Sequence, residues 1–139
     1  MTGKVIVLED NFDAVRNAVT GEMLQGAAMA GGFVVEGHAK IKAGSGRPGL
    51  IMRTGALVNS IIVDKIKKSK TFAQVGIGTN LVYARIHELG GIIKNAFGRG
   101  IIVHMPARPY LRPAMDENEP DIRKAVETEL WRNLNKATR

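Results

Sequence analysis

The stretch PARPYLRPAMD, Pro106 to Asp116, decides how the chain is put together. Three prolines fall within eight residues, with Arg108, Tyr110 and Arg112 between them. Three readings compete: a basic, aromatic strip for nucleic acid, a proline-rich ligand for another domain, or a rigid joint. The flanks choose between them. IIVHM (Ile101–Met105) is a β-branched, strand-like run. Beyond the prolines, Asn118 or Glu119 suits a helix N-cap and Pro120 suits the first turn. Ile122, Val126, Leu130 and Leu134 then form an apolar stripe, with Trp131 flanking it. A proline-rich ligand is an exposed, extended peptide, whereas Tyr110, Leu111 and Met115 are residues to expect inside. Each proline also biases the residue before it (Met105, Arg108, Arg112) away from helical geometry. The segment therefore reads as a stiff extended connector between the last strand and the last helix. Such a connector holds its two arginines in fixed positions, as an interface needs.

Working towards the N-terminus, LVYARIHEL (81–89) reads as a short helix capped by Thr79-Asn80 and stopped by Gly90-Gly91. IIKNAFGRG follows without a clear period, so 90–100 is expected to be a flexible loop. Ser60–Ile66 and Phe72–Gly78 read as two strands of an antiparallel hairpin with KKSK near its tip. Thr54 suits the cap of one helical turn. GSGRPGLIMR is a loop by its glycine, serine and proline content. Upstream, Phe12, Val15, Val19, Met23, Gly26, Ala30, Val34 and Ile41 recur at steps of three or four. They predict one long helix, capped by Asp10 or Asn11 and ending near Ala43-Gly44. Its glycines are unusual, since each costs about 1 kcal/mol against alanine in a helix interior. Either the helix breaks near Gly31-Gly32, or another element packs closely there. Residues 1–9 read as an N-terminal arm or strand. The expected architecture is α+β: a long N-terminal helix and a C-terminal helix packed on a small, mainly antiparallel β-sheet.

The chain has 139 residues, which predicts a single domain, 1–139, large enough for a core without staples. It has no cysteine, which removes disulfides, thiolate metal sites and cysteine nucleophiles. The first residues lack the pattern of a secretory signal, and the apolar window Met23–Val35 falls short of the roughly 20 residues a membrane helix needs. A soluble protein is expected. The net charge of +7 is uneven: residues 1–39 sum to −3 and residues 40–70 to +7. Lys40, Lys42, Arg47, Lys65, Lys67, Lys68 and Lys70 are thus candidates to face a polyanion or an acidic protein. The same residues also read as solvated lysines of a loop and a hairpin tip.

Catalytic signals are weak. GIGTN (76–80) lacks the Lys-Ser/Thr of a phosphate loop and is better explained as a strand end entering a cap. His87-Glu88 begins like a zinc motif, but Gly90 and Gly91 stand where the second ligand belongs. A site of two histidines and Glu88 requires the fold to gather His38, His87 and His104. The acidic cluster Asp116, Glu117, Glu119, Asp121 lies where a helix begins, and the helix dipole accounts for it. No nucleophile elbow or close pair of carboxylates stands out, so neither an enzyme nor a cofactor is expected. A nucleic-acid module using residues 40–70 is the alternative; lacking interleaved aromatics, it would bind through phosphate charge without base readout.

Taken in order, RTGALVNSI, VGIGTN, YARIHELGG and PARPYLRPAMDEN after a long helix resemble the neck and tail-completion proteins of long-tailed bacteriophages. The resemblance covers roughly residues 10–135, and the proline segment is its most specific part. The glycine-rich first helix departs from the Lys- and Glu-rich helix usual in such proteins. The resemblance implies a structural virion protein at the head–tail junction or tail end, present in the host cytoplasm during assembly. It implies a homo-oligomeric ring, commonly a hexamer. The implied partners are further copies of itself, head-connector or head-closure proteins, and tail-tube or tail-terminator proteins. Non-specific contact with lumenal DNA is a further option, and no membrane is implied. Carried over by motif, Arg53, Thr54, Gly55 and Leu57 lie in the turn after the long helix. Tyr83, His87, Glu88 and Gly90 form the short helix and its end. Pro106, Arg108, Pro109, Tyr110, Leu111, Arg112 and Pro113 lie in the connector. These are the candidate interface and structural residues.

Overall fold

The computed structural model describes residues 17–46, 50 and 53–137. The expected strand at 4–8, the caps Asp10 and Asn11, and Arg47 lie outside the described residues. Helix α1 spans Gly21–Ala43. Thr20 is extended and caps it, its Oγ1 accepting from the Met23 N–H at 3.3 Å. Glu22 in the first turn and Lys40 and Lys42 in the last suit the helix dipole. The end near Ala43-Gly44 is as expected; Asn17 and Ala18 are also helical, so the expected single helix is interrupted at Val19 and extended Thr20. The first turn of α1 is closely approached at Gly21. A side chain there would meet the Ser69 carbonyl oxygen at 2.5 Å, so a passing turn occupies that place.

The buried face of α1 also differs from the expected stripe. Ala27, Gly31, Gly32, Val35, Ala39 and Ala43 are buried, while Ile41 is exposed. Small residues win because two elements approach at once. A Cβ on Gly31 would lie 2.8 Å from Val126 Cγ2 and 3.2 Å from Ile122 Cγ2. A Cβ on Gly32 would lie 3.1 Å from Val75 Cγ2 and 3.3 Å from Val63. Helix α1 is therefore unbroken at Gly31-Gly32 and lies between the C-terminal helix on one side and a hairpin on the other.

Helix α2 (Ala56–Ser60) follows Gly55, whose φ of 73° is left-handed, and Thr54 Oγ1 accepts from the Ala56 N–H. Strands β1 (Ile62–Lys68) and β2 (Ala73–Gly78) pair antiparallel with a bulge between Asp64 and Lys67. The Val63 N–H donates to Glu36 Oε2 at 3.0 Å, which ties β1 to α1. Helix α3 (Ala84–Leu89) ends at Gly90, as its sequence predicts. Strands β3 (Gly91–Ala96) and β4 (Ile101–Met105) form a second antiparallel hairpin. Residues 91–96 are thus a strand where a loop was expected. The adjacent Ile92-Ile93 and the register shift between Ile93 and Ala96 hide its alternation. Among the described residues, β1–β4 form two separate two-stranded sheets where one small sheet was expected.

Helix α4 (Leu111–Asp116) and helix α5 (Glu119–Ala137) follow. Ile122, Val126, Leu130 and Leu134 are half-buried, so the predicted stripe holds, and Trp131 is exposed. The extended connector is shorter than expected: from Leu111 onward it is helix, with Arg112 and Pro113 in the first turn. Proline is tolerated there because that turn's N–H groups have no helical partner. Met115, expected inside, is exposed. Tyr110 and Ile61 are the largest fully buried side chains, in a core with Val35, Ala39, Ala43, Leu50 and Ala114. The fold is α+β, with α1 and α5 packed together and the first hairpin laid against α1.

Candidate functional site

Two of the sequence motifs, some 20 residues apart, are one structural unit. The Glu88 carboxylate receives three backbone N–H groups: Tyr110 at 2.8 Å and Leu111 at 3.0 Å on Oε2, and Arg112 at 3.0 Å on Oε1. Those are the unpaired donors at the start of α4. The next residue, Pro113, has no N–H to satisfy. The His87 carbonyl accepts from the Arg108 N–H at 2.7 Å. Gly90, at φ 70°, lets the chain pass so close that a Cβ would lie 2.8 Å from the Ala107 nitrogen. Helix α3 and its end thus clamp residues 107–112 through backbone groups of that segment. This clamp sets Tyr110 into the core and leaves Arg108 and Arg112 exposed. Burial pushes the Tyr110 phenol up to about 12 from an ordinary 10.0, with the Glu88 carboxylate and then Tyr83 adding to the shift.

Beside the clamp lies an open cleft of about 510 Å³. Arg53, Thr54, Gly55 and Leu57 from the turn before α2 line one side, and Tyr83, His87 and Arg108 line the other. The Tyr83 and His87 rings meet edge to face, with centroids 5.8 Å apart. No acidic residue lines the cleft among the described residues, so two guanidinium groups and an imidazole face one space. The fold therefore brings together members of three motifs. Arg112 is apart from them, exposed and 3.6 Å from Asp116.

The basic stretch is not gathered in the same way. Lys40 pairs with Glu36 at 2.6 Å and Lys42 with Glu117 at 2.6 Å. Lys67, Lys68 and Lys70 lie at the tip of the first hairpin, where Ser69 lies against the start of α1. Lys40 lies near the other end of that helix, about 28 Å away at 1.5 Å per residue. A segment continuous in sequence becomes two patches in space. Nor are the histidines gathered: among the described residues no three His, Asp or Glu side chains converge as metal ligands. Among the described residues no helix is long and apolar enough to cross a membrane.

Reasoning from the residues alone read 90–100 as a flexible loop and missed that it forms an apolar hairpin with β4. Ile92, Ile93, Ile101, Ile102 and Phe97 are all exposed on it, and Leu89 and Val82 are exposed nearby in the chain. Among the described residues, β3 and β4 pack extensively only on each other. Such apolar exposure on both faces is what an association element carries. The paired isoleucines were the available signal.

Residues 13–131 match the phage virion morphogenesis family. The chain belongs to that family. It is also similar to an uncharacterized protein of Methanocaldococcus jannaschii, 36% identical over 88 residues. That similarity covers 63% of this chain and 57% of the relative's length. No solved structure matches. A family member's role is in building phage particles.

Proposed function

We propose that this protein is a structural component of the phage head–tail interface, working without catalysis as a homo-oligomeric ring, most simply a hexamer. The ring joins the head connector to the tail or completes the tail. The carrying observation is the projecting β3–β4 hairpin, apolar on both faces and fixed at its foot by the α3 clamp. A chain that acts alone has no use for such an arm, whereas a ring subunit needs a patch that meets a different patch on the next copy. Family membership supports the virion setting. The cleft of Arg53, His87 and Arg108 suits an acidic group on a neighbouring subunit or on an adjoining connector or tail protein. Of the two connector arginines, Arg108 is the better candidate to cross, since Arg112 has Asp116 beside it.

Mass spectrometry and electron microscopy of purified particles test this reading. The expected result is a fixed low copy number per particle and density at the neck or tail end. Absence from particles overturns it. A second reading has one observation in its favour, the grouping of Lys67, Lys68 and Lys70 on one tip. They suit contact with DNA phosphates in the ring lumen. A DNA titration across salt should then show weak binding that falls steeply with ionic strength; no binding at low salt ends that reading.

A further inference from the structure

The tip of the β3–β4 hairpin has an unusual backbone. Asn95 and Phe97 have positive φ, at 56° and 59°, although neither is glycine. Asparagine tolerates that region, but phenylalanine does not do so readily. The turn is nevertheless well made. Asn95 Oδ1 accepts from the Gly100 N–H at 2.6 Å, and the Asn95 carbonyl accepts from the Gly98 N–H. Held this way, the Phe97 side chain is 88% exposed, between the exposed Lys94 and Arg99. Positive φ suits a hairpin turn, but the turn does not call for an exposed aromatic ring at this position, and strain of this kind accumulates at functional positions.

Elsewhere on the molecule is a groove of about 310 Å³. Its floor is Gly31, Gly32, Val75, Ile122 and Val126, and Met115 stands exposed at its side. The glycines that let α1 approach its neighbours also leave this floor low. Its rim carries Asp116 and Glu119, with Asp121 close in sequence and Glu117 paired with Lys42. Asp116 and Glu119 pair with Arg112 and Arg123, but those pairs are exposed, and such pairs exchange partners at little cost.

We infer that the Phe97 tip of one copy docks in the α1–α4–α5 groove of the next copy. The ring seats on the apolar floor, and Lys94 and Arg99 meet the acidic rim. The occupant is a second copy because apolar knob with basic flanks matches apolar hole with acidic flanks. Knob and hole are different patches of one chain, so the contact is head-to-tail and propagates around a ring. This inference deepens the ring reading and rests on it.

The test is sedimentation velocity over a concentration series, with thermal unfolding alongside. The wild-type chain should associate. Phe97→Gly should weaken association by roughly 100-fold, as loss of a central aromatic anchor does. Because glycine accepts the left-handed turn, that variant should unfold at the same temperature or higher. Arg99→Glu and Asp116→Arg should each weaken association, and the two together in one chain should restore it. A benzophenone amino acid at position 97 should crosslink to Met115 of another copy. Wild type that stays monomeric throughout, or Phe97→Gly that associates normally, overturns the docking. So does a crosslink confined within one chain or landing on a different protein. None of these outcomes touches the presence of the protein in particles, so docking and virion role fail separately.

Discussion

Glu88 shows how much one side chain can fix. Its two oxygens take three donors from a segment 22 to 24 residues away. Ordinary caps are local, with the capping residue next to its helix. Here the cap comes from another helix and so also sets where α4 sits. Replacing Glu88 with alanine removes the partner of three backbone N–H groups and should lower stability by about 2 kcal/mol. Urea unfolding checks this, and Glu88→Gln should fall between the two. Tyr110 gives a pH prediction. Its folded pKa is raised, so its contribution to stability is whole below the unfolded value near 10 and is lost as pH rises towards 12. Tyr110→Phe removes that titration, so its alkaline unfolding midpoint should lie higher than the wild-type one. Circular dichroism from pH 9 to 12 would show it, and an unchanged midpoint would contradict the assignment.

At the scale of elements, the glycines of α1 divide by what surrounds them. Gly37 is exposed, and a Cβ there would meet nothing within 4 Å, so Gly37→Ala should stabilise the helix by about 0.5–1 kcal/mol. Gly31 faces Val126 and Ile122, and Gly31→Leu should cost about 1–3 kcal/mol by forcing α5 away. Thermal melts of the pair distinguish packing glycines from merely tolerated ones. The same contrast explains what could be read from sequence. Both strands of the first hairpin, the stop at Gly90 and the α5 stripe follow from local chemistry, and all were legible. The buried face of α1 was not, because large apolar side chains dominate a periodicity count while close approach selects small ones. Strand β3 was not, because its partner β4 supplies the order that its own irregular pattern lacks.

For the whole molecule, the candidate site was legible as a set of motifs and illegible as a geometry. Nothing in YARIHELGG announces that its glutamate will hold the start of YLRP. Arg53, His87 and Arg108 come from three separate stretches, and only folding shows that they face one cleft. The basic segment fails in the opposite sense: neighbours in sequence end up at opposite ends of α1. Reversing the tip charges, Lys67→Glu with Lys68→Glu, should therefore abolish any DNA binding while leaving the unfolding temperature nearly unchanged, since neither side chain is buried. A filter-binding assay at low salt reads this, and retained binding would move the contact to the far end of α1.

The α3 clamp has one more consequence. The chain leaves it at Gly90 and returns to it at Ala107, and between them runs the hairpin. Because both feet are pinned by backbone contacts, the hairpin depends little for its placement on the exposed side chains near its tip. It behaves as an interchangeable cassette on a fixed socket. Under the proposed docking, related chains are then free to diverge near the hairpin tip and so change which neighbour the cassette meets, while the frame that presents it stays the same.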